Sequence, residues 1–321
     1  MSGNSPVLGV DIGGTKVAVG LVDKAGKILT RGRTPMVANG TADAGLQAVI
    51  KAIESLAASD GPGFQSIGIC APGPLDPKTG VVLNPPNLPC WRNFPLAEKI
   101  QQKFKLPVRV DNDANAAALA ETHWGAARGY RYVFYATIGT GIGTGIVLDG
   151  RIYHGKTGSA GEGGHVSIDY KGPVCNCGKR GCIEILAAGP AIRARARAKF
   201  SSGPRPSLIL EMANGNVDAV TTEIVGKAFA AGDVLAREIL QETAELLTIW
   251  LGNIVDLLDP DVIVVGGGVA AMLQPLFEQI KDGLPEWCVN PRAAEIPLLI
   301  AHYGADAGIA GGAALCFEDV F

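Results

Sequence analysis

The sequence predicts an α/β protein, with two similar halves if an internal repeat is real. Three observations carry this. The chain has 321 residues, about two domains at roughly 150 residues each. Apolar β-branched runs alternate with helical segments, the pattern of α/β folds. Residues 133–148, followed by Asp149, lie on residues 7–22, followed by Asp23, at a shift of 126.

Taken in order, residues 7–10 form a short apolar strand that runs into Asp11-Ile-Gly-Gly-Thr-Lys16, and residues 17–22 form a second. The turn Asp23-Lys-Ala-Gly26 leads into a third. A helix follows over 42–58. Residues 66–70 read as a buried strand ending at Ala71-Pro-Gly-Pro74. Pro85, Pro86, Pro89 and Pro95 mark an extended loop. A helix is expected over 96–104, a strand over 108–110, and a helix over 114–122 with Asp113 at its first turn. The repeat then supplies strand, glycine turn, strand and acidic turn again. Its identities are few (Val7/Val133, Ile12/Ile138, Gly13/Gly139, Asp23/Asp149), so coincidence and duplication both fit. A duplication would give each half a glycine hairpin facing a shared cleft. Further on, 187–200 and 223–255 read as helices. Arg193, Arg195, Arg197 and Lys199, two apart, are expected on a solvated face. Residues 261–265 are a strand running into Gly266-Gly-Gly268, and 306–315 a closely packed terminal helix.

Composition narrows the function. Lys plus Arg is 28 against 31 acids, a net charge of −3, which argues against a nucleic-acid partner needing a basic face. Apolar residues are 47%, enough for a sizeable core and too many for a disordered chain. The longest uncharged runs, 132–148 and 262–277, are 17 and 16 residues and laced with glycine, short of the ~20 a membrane helix needs. Asp11 interrupts the first apolar stretch and the first cation is Lys16, so no secretory leader is expected, and a cytoplasmic location follows. Glycine, 43 residues, is at about twice its average share and clusters after apolar runs, where backbone must approach a ligand closely. Three of seven cysteines crowd into 175–182, a spacing that suggests a metal before a disulfide.

Two motif matches fail on context. Gly150-Arg-Ile-Tyr-His-Gly155-Lys156-Thr157 fits a P-loop letter for letter, but a P-loop follows a buried strand and opens a helix. Here it follows a hairpin turn, and Gly-Ser-Ala-Gly-Glu-Gly-Gly after it cannot start one. Gly266-Gly267-Gly268-Val-Ala-Ala271 fits a dinucleotide fingerprint, but the next strand, over 296–301, lacks the terminal acid. A nucleotide can still touch Gly267 and Gly268; a redox cofactor is not expected.

The first hairpin carries better chemistry. Gly13 and Gly14 let amides approach an anion, Thr15 and Lys16 can donate to phosphate oxygens, and Asp11 can hold Mg²⁺ through water. Thr137-Ile-Gly139-Thr140-Gly141 offers similar chemistry, with Thr140 and Gly141 at the tip.

On these motifs the chain resembles the ROK family of bacterial sugar kinases and repressors, within the actin-like ATPase superfamily. The most specific piece is Cys175-Asn-Cys177-Gly-Lys-Arg-Gly-Cys182-Ile-Glu184, preceded by Glu162-Gly-Gly-His165. Asp111-Asn112-Asp113-Ala-Asn115 and Ala71-Pro-Gly73-Pro74 also resemble the family's sugar-site segments. One departure is Thr144, where the family often has glycine; its hydroxyl is expected to be a mild change. The resemblance implies a two-lobed, ribonuclease H-like fold with duplicated halves and an interlobe cleft. The lobes are expected at 1–112, taking back 306–321, and at 113–305, with the metal. It also implies ATP with Mg²⁺, a structural zinc and a homodimer.

Read chemically, His165, Cys175, Cys177 and Cys182 supply one imidazole and three thiolates, a closed set suited to structural zinc. A Cys-x-Cys pair is too cramped to bridge easily. The metal would fix the loop carrying Glu162, His165 and Glu184, which with Gly73, Asn87, Asn112 and Asp113 are the candidate sugar-binding residues. Asp113 is the catalytic candidate. An Asp there is usually a cap, but Asp111 or Asn112 can cap, and the helix dipole keeps Asp113 ionised to accept a hydroxyl proton.

The expected activity is ATP-dependent phosphorylation of a hexose, with the loop Asn84-Pro-Pro-Asn87-Leu-Pro-Cys-Trp91 resembling the family's glucose-specific branch. Kinases for mannose, fructose or N-acetylhexosamines are the alternative, and a sugar sensor without DNA-binding is a further one. A repressor would need a helix-turn-helix domain ahead of the first hairpin, and only six residues precede Val7.

Overall fold

The computed structural model describes residues 5–57, 63–201, 203 and 205–317. Residues 1–4 and 318–321 of the expected domain limits, and Ala58 of the first expected helix, lie outside them. In chain order the first elements are β1 (Val7–Ile12), β2 (Lys16–Val22), β3 (Ile28–Pro35), α1 (Ala42–Ala57) and β4 (Ile67–Ala71). Three short strands follow, β5 (Leu75–Asp76), β6 (Val81–Val82) and β7 (Phe94–Pro95), then α2 (Leu96–Phe104), β8 (Val108–Asn112) and α3 (Asp113–His123). Next come β9 (Tyr132–Ile138), β10 (Ile142–Leu148), β11 (Arg151–Ile152), α4 (Ile183–Ala187), α5 (Gly189–Ser201) and α6 (Leu208–Met212). The chain continues through α7 (Thr222–Ala230), α8 (Val234–Leu258), β12 (Val262–Gly266), α9 (Gly268–Leu273), α10 (Phe277–Gly283), β13 (Leu298–Ile300) and α11 (Ala307–Leu315).

The chain divides into two compact units. The first is 1–135, 145–161 and 301–321; the second is 136–144 and 162–300. In the first, the sheet order is β3-β2-β1-β4-β8. β1, β2 and β3 form an antiparallel meander, and β4 and β8 extend it in parallel from β1. Every residue of β4 is buried, as a central parallel strand requires. Edge strand β3 alternates half-buried and exposed positions. One face is covered by α1, with Val10, Val19, Ile53, Ile69 and Trp91 in its core.

The other face is covered by α11, closely enough to dictate glycine in the sheet. A Cβ on Gly9 would lie 1.9 Å from the Ile309 carbonyl oxygen, and one on Gly68 1.7 Å from that of Gly312. α3 packs on α11 just as tightly, Gly311 facing the backbone of Ala116 and Ala117. This Ala/Gly contact keeps α3 in the first unit, so the division falls after Tyr135 and differs from the expected one after Asn112.

The second sheet has the order β11-β10-β9-β12-β13, the same sequence of connections as the first. Its hairpin bounds, Ile138, Ile142 and Leu148, are those of Ile12, Lys16 and Val22 at the shift of 126. The repeat read from a few identities is therefore a repeat of structure. Two expectations need correction. The helix over 223–255 is two helices, α7 and α8, because Gly232 turns the chain at φ 86° and Asp233 caps the new helix, accepting the Ala236 amide at 2.7 Å. Of the basic run, Arg193 is exposed as expected, but Arg195, Arg197 and Lys199 are half-buried and not on a solvated face. Arg195 donates to the Leu186 carbonyl and the Thr243 hydroxyl, Arg197 to Val220, and Lys199 pairs with Glu238 and Glu242. Among the described residues no helix is long and apolar enough to cross a membrane.

Candidate active site

The first hairpin closes through its own backbone. The Gly13 amide donates to the Lys16 carbonyl at 2.9 Å, so Gly13 shapes the turn, and its amide is not the phosphate donor expected of it. Gly14 is the position that needs glycine: a Cβ there would meet the Asn87 carbonyl oxygen at 2.8 Å. The hairpin tip and the Asn87 loop thus lie against each other. Thr15 and Lys16 are exposed at the tip. Behind them, Asp11 is packed under Gly308, whose added Cβ would meet the carboxylate carbon at 2.4 Å. Burial raises the Asp11 pKa above the usual carboxylate value, with Lys16 and Arg33 opposing that rise.

At the end of β8 three consecutive polar residues take separate tasks. Asp111, 3% exposed, accepts the Asn112 amide at 2.6 Å and the Asn115 side-chain amide at 3.2 Å. Its other oxygen pairs with His154 Nε2 at 2.6 Å. His154 comes from the loop that imitates a P-loop, and no helix follows that loop before the turn at Gly163. Asn112 is the cap of α3, its Oδ1 accepting the amides of Ala114 and Asn115 at 2.9 and 3.4 Å. Its Nδ2 lies 3.4 Å from where a Cβ on Gly73 would sit, which brings those two expected sugar residues together. Asp113 is exposed in the first turn, one oxygen accepting the Ala114 amide at 2.8 Å. The cap does not depend on it.

In the second unit the Gly139 amide closes its hairpin on Gly141 at 2.9 Å. Glu184 on α4 accepts the Ile142 amide at 3.0 Å and lies 2.6 Å from where a Cβ on Gly141 would sit. Thr140 and Gly268 line one cavity of about 840 Å³, large enough for a nucleoside. Gly267, at φ 91°, lies against the Ile138 backbone, its added Cβ 2.4 Å from that carbonyl oxygen. Arg193, Glu223, Lys227 and Met272 also line the cavity. Sequence reasoning missed these four: α5 and α7 carry no motif, so only the fold brings Arg193, Glu223 and Lys227 beside the glycines, and Met272 on α9 is a single apolar residue beyond the glycine run.

The turn Gly163–His165 presents exposed Glu162 and half-buried His165. His165 Nδ1 lies 3.7 Å from Cys175 Sγ, and Cys177 and Cys182 sulfurs are 3.6 Å apart. One ligand atom from each of the four residues lies within 4.8 Å of the others, and all three thiols are free of disulfides. Gly181 is required here: at φ 62°, an added Cβ would sit 1.7 Å from the Asp169 carbonyl oxygen. Burial and the neighbouring thiols push Cys182 up to about 12, while the Lys179 amide lowers exposed Cys177. Ionising Cys182 in this setting is costly, and a bound cation would offset that cost. A closed sulfur-and-imidazole set fits such a metal ion.

A sequence model of the ROK family matches residues 7–319. The glucokinase of Thermotoga maritima is 33% identical over 98% of this chain and 98% of its own length. An N-acetylmannosamine kinase of Citrobacter koseri is 32% identical over 97% and 99%. Among solved structures, a ROK family glucokinase from Streptomyces griseus in complex with glucose and AMPPNP is 35% identical. It superposes with a TM-score of 0.82, covering 97% of this chain and 98% of that one. With such matches running end to end, the chain belongs to the ROK family.

Proposed function

We propose that this protein is an ATP-dependent hexose kinase whose substrate is glucose, transferring the γ-phosphoryl group to the 6-hydroxyl. The observation that carries the reading is Asp113, an exposed carboxylate at the start of α3 that the helix does not need for capping. The end-to-end likeness to glucokinases supports it. As the 6-oxygen attacks phosphorus, its proton passes to the Asp113 carboxylate, and ADP leaves. The helix N-terminus favours the ionised base beforehand. The remaining catalysis is positioning and neutralisation of charge.

Gly73, Asn87, the Asn112 amide, Glu162, His165 and Glu184 bind sugar hydroxyls. With His165 Nδ1 turned to the thiols, Nε2 is the nitrogen left to bond a hydroxyl. Gly14, Thr15 and Lys16, with Thr140, Gly141, Gly267 and Gly268, hold the nucleotide; Gly13 shapes its turn. Asp11 would hold Mg²⁺ through water, and bound Mg²⁺ supplies neutralisation of phosphate charge. Zinc on His165, Cys175, Cys177 and Cys182 is structural, since four protein ligands leave no position for substrate. We further propose a cytoplasmic homodimer, in a compartment that keeps the thiols reduced.

The N-acetylmannosamine kinase relative makes N-acetylated hexoses the second reading, ahead of mannose and fructose. A coupled assay of the purified protein over a hexose panel, with ATP and with polyphosphate as donors, tests both. Glucose with ATP should give the highest kcat/KM. Turnover of no hexose defeats the kinase reading; a preference of about tenfold or more for another hexose defeats the glucose assignment.

A further inference from the structure

The turn that carries Glu162 and His165 is gripped at its middle by two buried side chains. Thr144 on β10 is 4% exposed, and its Oγ1 accepts the Gly163 amide at 2.8 Å. Trp250 on α8 is 1% exposed, and its indole Nε1 donates to the Gly163 carbonyl at 3.0 Å. Both backbone polar groups of Gly163 therefore have a defined partner. The turn also lies flat on β10. An added Cβ would be 2.7 Å from Thr144 Oγ1 at Gly163, and 2.0 Å from the Ile142 carbonyl oxygen at Gly164. Backbone position alone then decides where the Glu162 and His165 side chains begin.

We propose that Thr144 and Trp250 are positioning residues for the sugar: by fixing the Gly163 peptide they aim Glu162 and His165 at the hexose hydroxyls. The inference rests on the sugar-kinase reading and deepens it. It also revises the expectation that a hydroxyl at Thr144 is a mild change from glycine. Glycine at 144 would lack this acceptor. The metal set grips the turn's far end through His165, while Thr144 and Trp250 grip it next to Glu162. Removing the Thr144 hydroxyl leaves a buried N–H without an acceptor, which is costly, and the turn must shift to find one. A shift of about 1 Å in a positioning group can cost about 10²-fold.

Thr144→Val keeps the side-chain shape and removes the acceptor. Its glucose KM and calorimetric glucose Kd should rise about tenfold, with ATP KM unchanged. Thr144→Ser, which keeps the hydroxyl, should restore both. Trp250→Phe removes the side-chain bond to the Gly163 carbonyl, which keeps the Val166 amide at 3.1 Å, and should move glucose KM the same way by a smaller factor; it serves also if the valine variant fails to fold. Wild type is assayed first on the hexose panel. No turnover there defeats the kinase reading and this inference with it. An active wild type beside a folded Thr144→Val of unchanged glucose KM overturns the inference alone. So does a loss of melting temperature with no change in KM, or a failure of serine to restore.

Discussion

Between Ile12 and Lys16, and again between Ile138 and Ile142, the chain makes hairpins of the same span in sheets of the same strand order, yet the two tips have different neighbours. Gly14 is pressed by the Asn87 carbonyl, and Asp11 sits half-buried behind it under Gly308. Gly139 has no atom within 4 Å of an added Cβ, and Gly141 rests on Glu184. The last strands differ as well: β8 ends in Asp111 and Asn112, while β13 is apolar throughout. The duplicated backbone is thus a frame, and the chemistry at each tip is set by what packs behind it. Under the proposed function, both frames bear nucleotide and sugar-binding groups, but only the first bears the base, Asp113, and the Mg²⁺ acid, Asp11, and only the second bears the metal set.

The largest effect is expected where that asymmetry is greatest. Asp113→Asn keeps size and hydrogen bonding but cannot accept the proton. General-base catalysis contributes about 10²- to 10⁴-fold, so kcat should fall by about that factor, with glucose affinity changing far less. A cap would behave differently, costing stability and leaving turnover; since Asn112 caps α3, melting temperature should hold. Near-normal kcat in the folded variant removes Asp113 as the base.

The frame was legible in the sequence because hairpin spacing is a local property. The strands around Gly13 and Gly139, the helix at 96–104 and the crowding of Cys175, Cys177 and Cys182 all follow from neighbouring residues. What was not legible depends on distant partners. Arg195 looked solvated because Leu186 and Thr243 lie far from it in sequence. The break at Gly232 is a single glycine in a long apolar pattern. Arg193 and Lys227 reach the cavity beside Gly268 only through the packing of α5 and α7. Of the site, the motif residues were readable, and the walls were not.

The second frame carries the candidate metal set, and removing the proposed zinc should weaken it selectively. Elemental analysis should find one zinc per chain. Cys177→Ser should lower melting temperature and reduce glucose affinity about ten- to hundredfold, because the turn bearing His165 loosens while the start of α3 at Asp113 stays intact. A metal-free native protein, or a serine variant with full glucose affinity, contradicts this.

A paired substitution at the tips sharpens the comparison further. Gly14→Ala drives a methyl into the Asn87 backbone and should raise both ATP and glucose KM, by about tenfold. Gly139→Ala meets no protein atom, but its methyl enters the cavity that Gly139 lines with Thr140 and Gly268, so it should raise ATP KM and leave glucose KM within about twofold. Equal effects at both positions would mean that the two tips are used alike.

The smallest expected effect is on stability, at Asp11. Burial lifts its folded-state pKa above the unfolded value, so the folded state binds the proton more tightly. The contribution to stability is then fully present below the unfolded pKa near 3.8 and is lost as pH rises through the folded pKa. Near neutral pH the ionised, desolvated carboxylate is a standing cost. Asp11→Asn removes that cost, since the amide has no charge to desolvate. Melted without nucleotide or Mg²⁺, the variant should be more stable than wild type at pH 7, and the gap should close as pH falls below 4. The same variant should bind nucleotide with Mg²⁺ less well, because the acid behind the first tip is gone. No corresponding carboxylate stands in β9, so no substitution in that strand should reproduce this trade. A neutral-pH melting temperature below wild type, or a gap that widens in acid, would show that the Asp11 charge stabilises the frame instead of straining it.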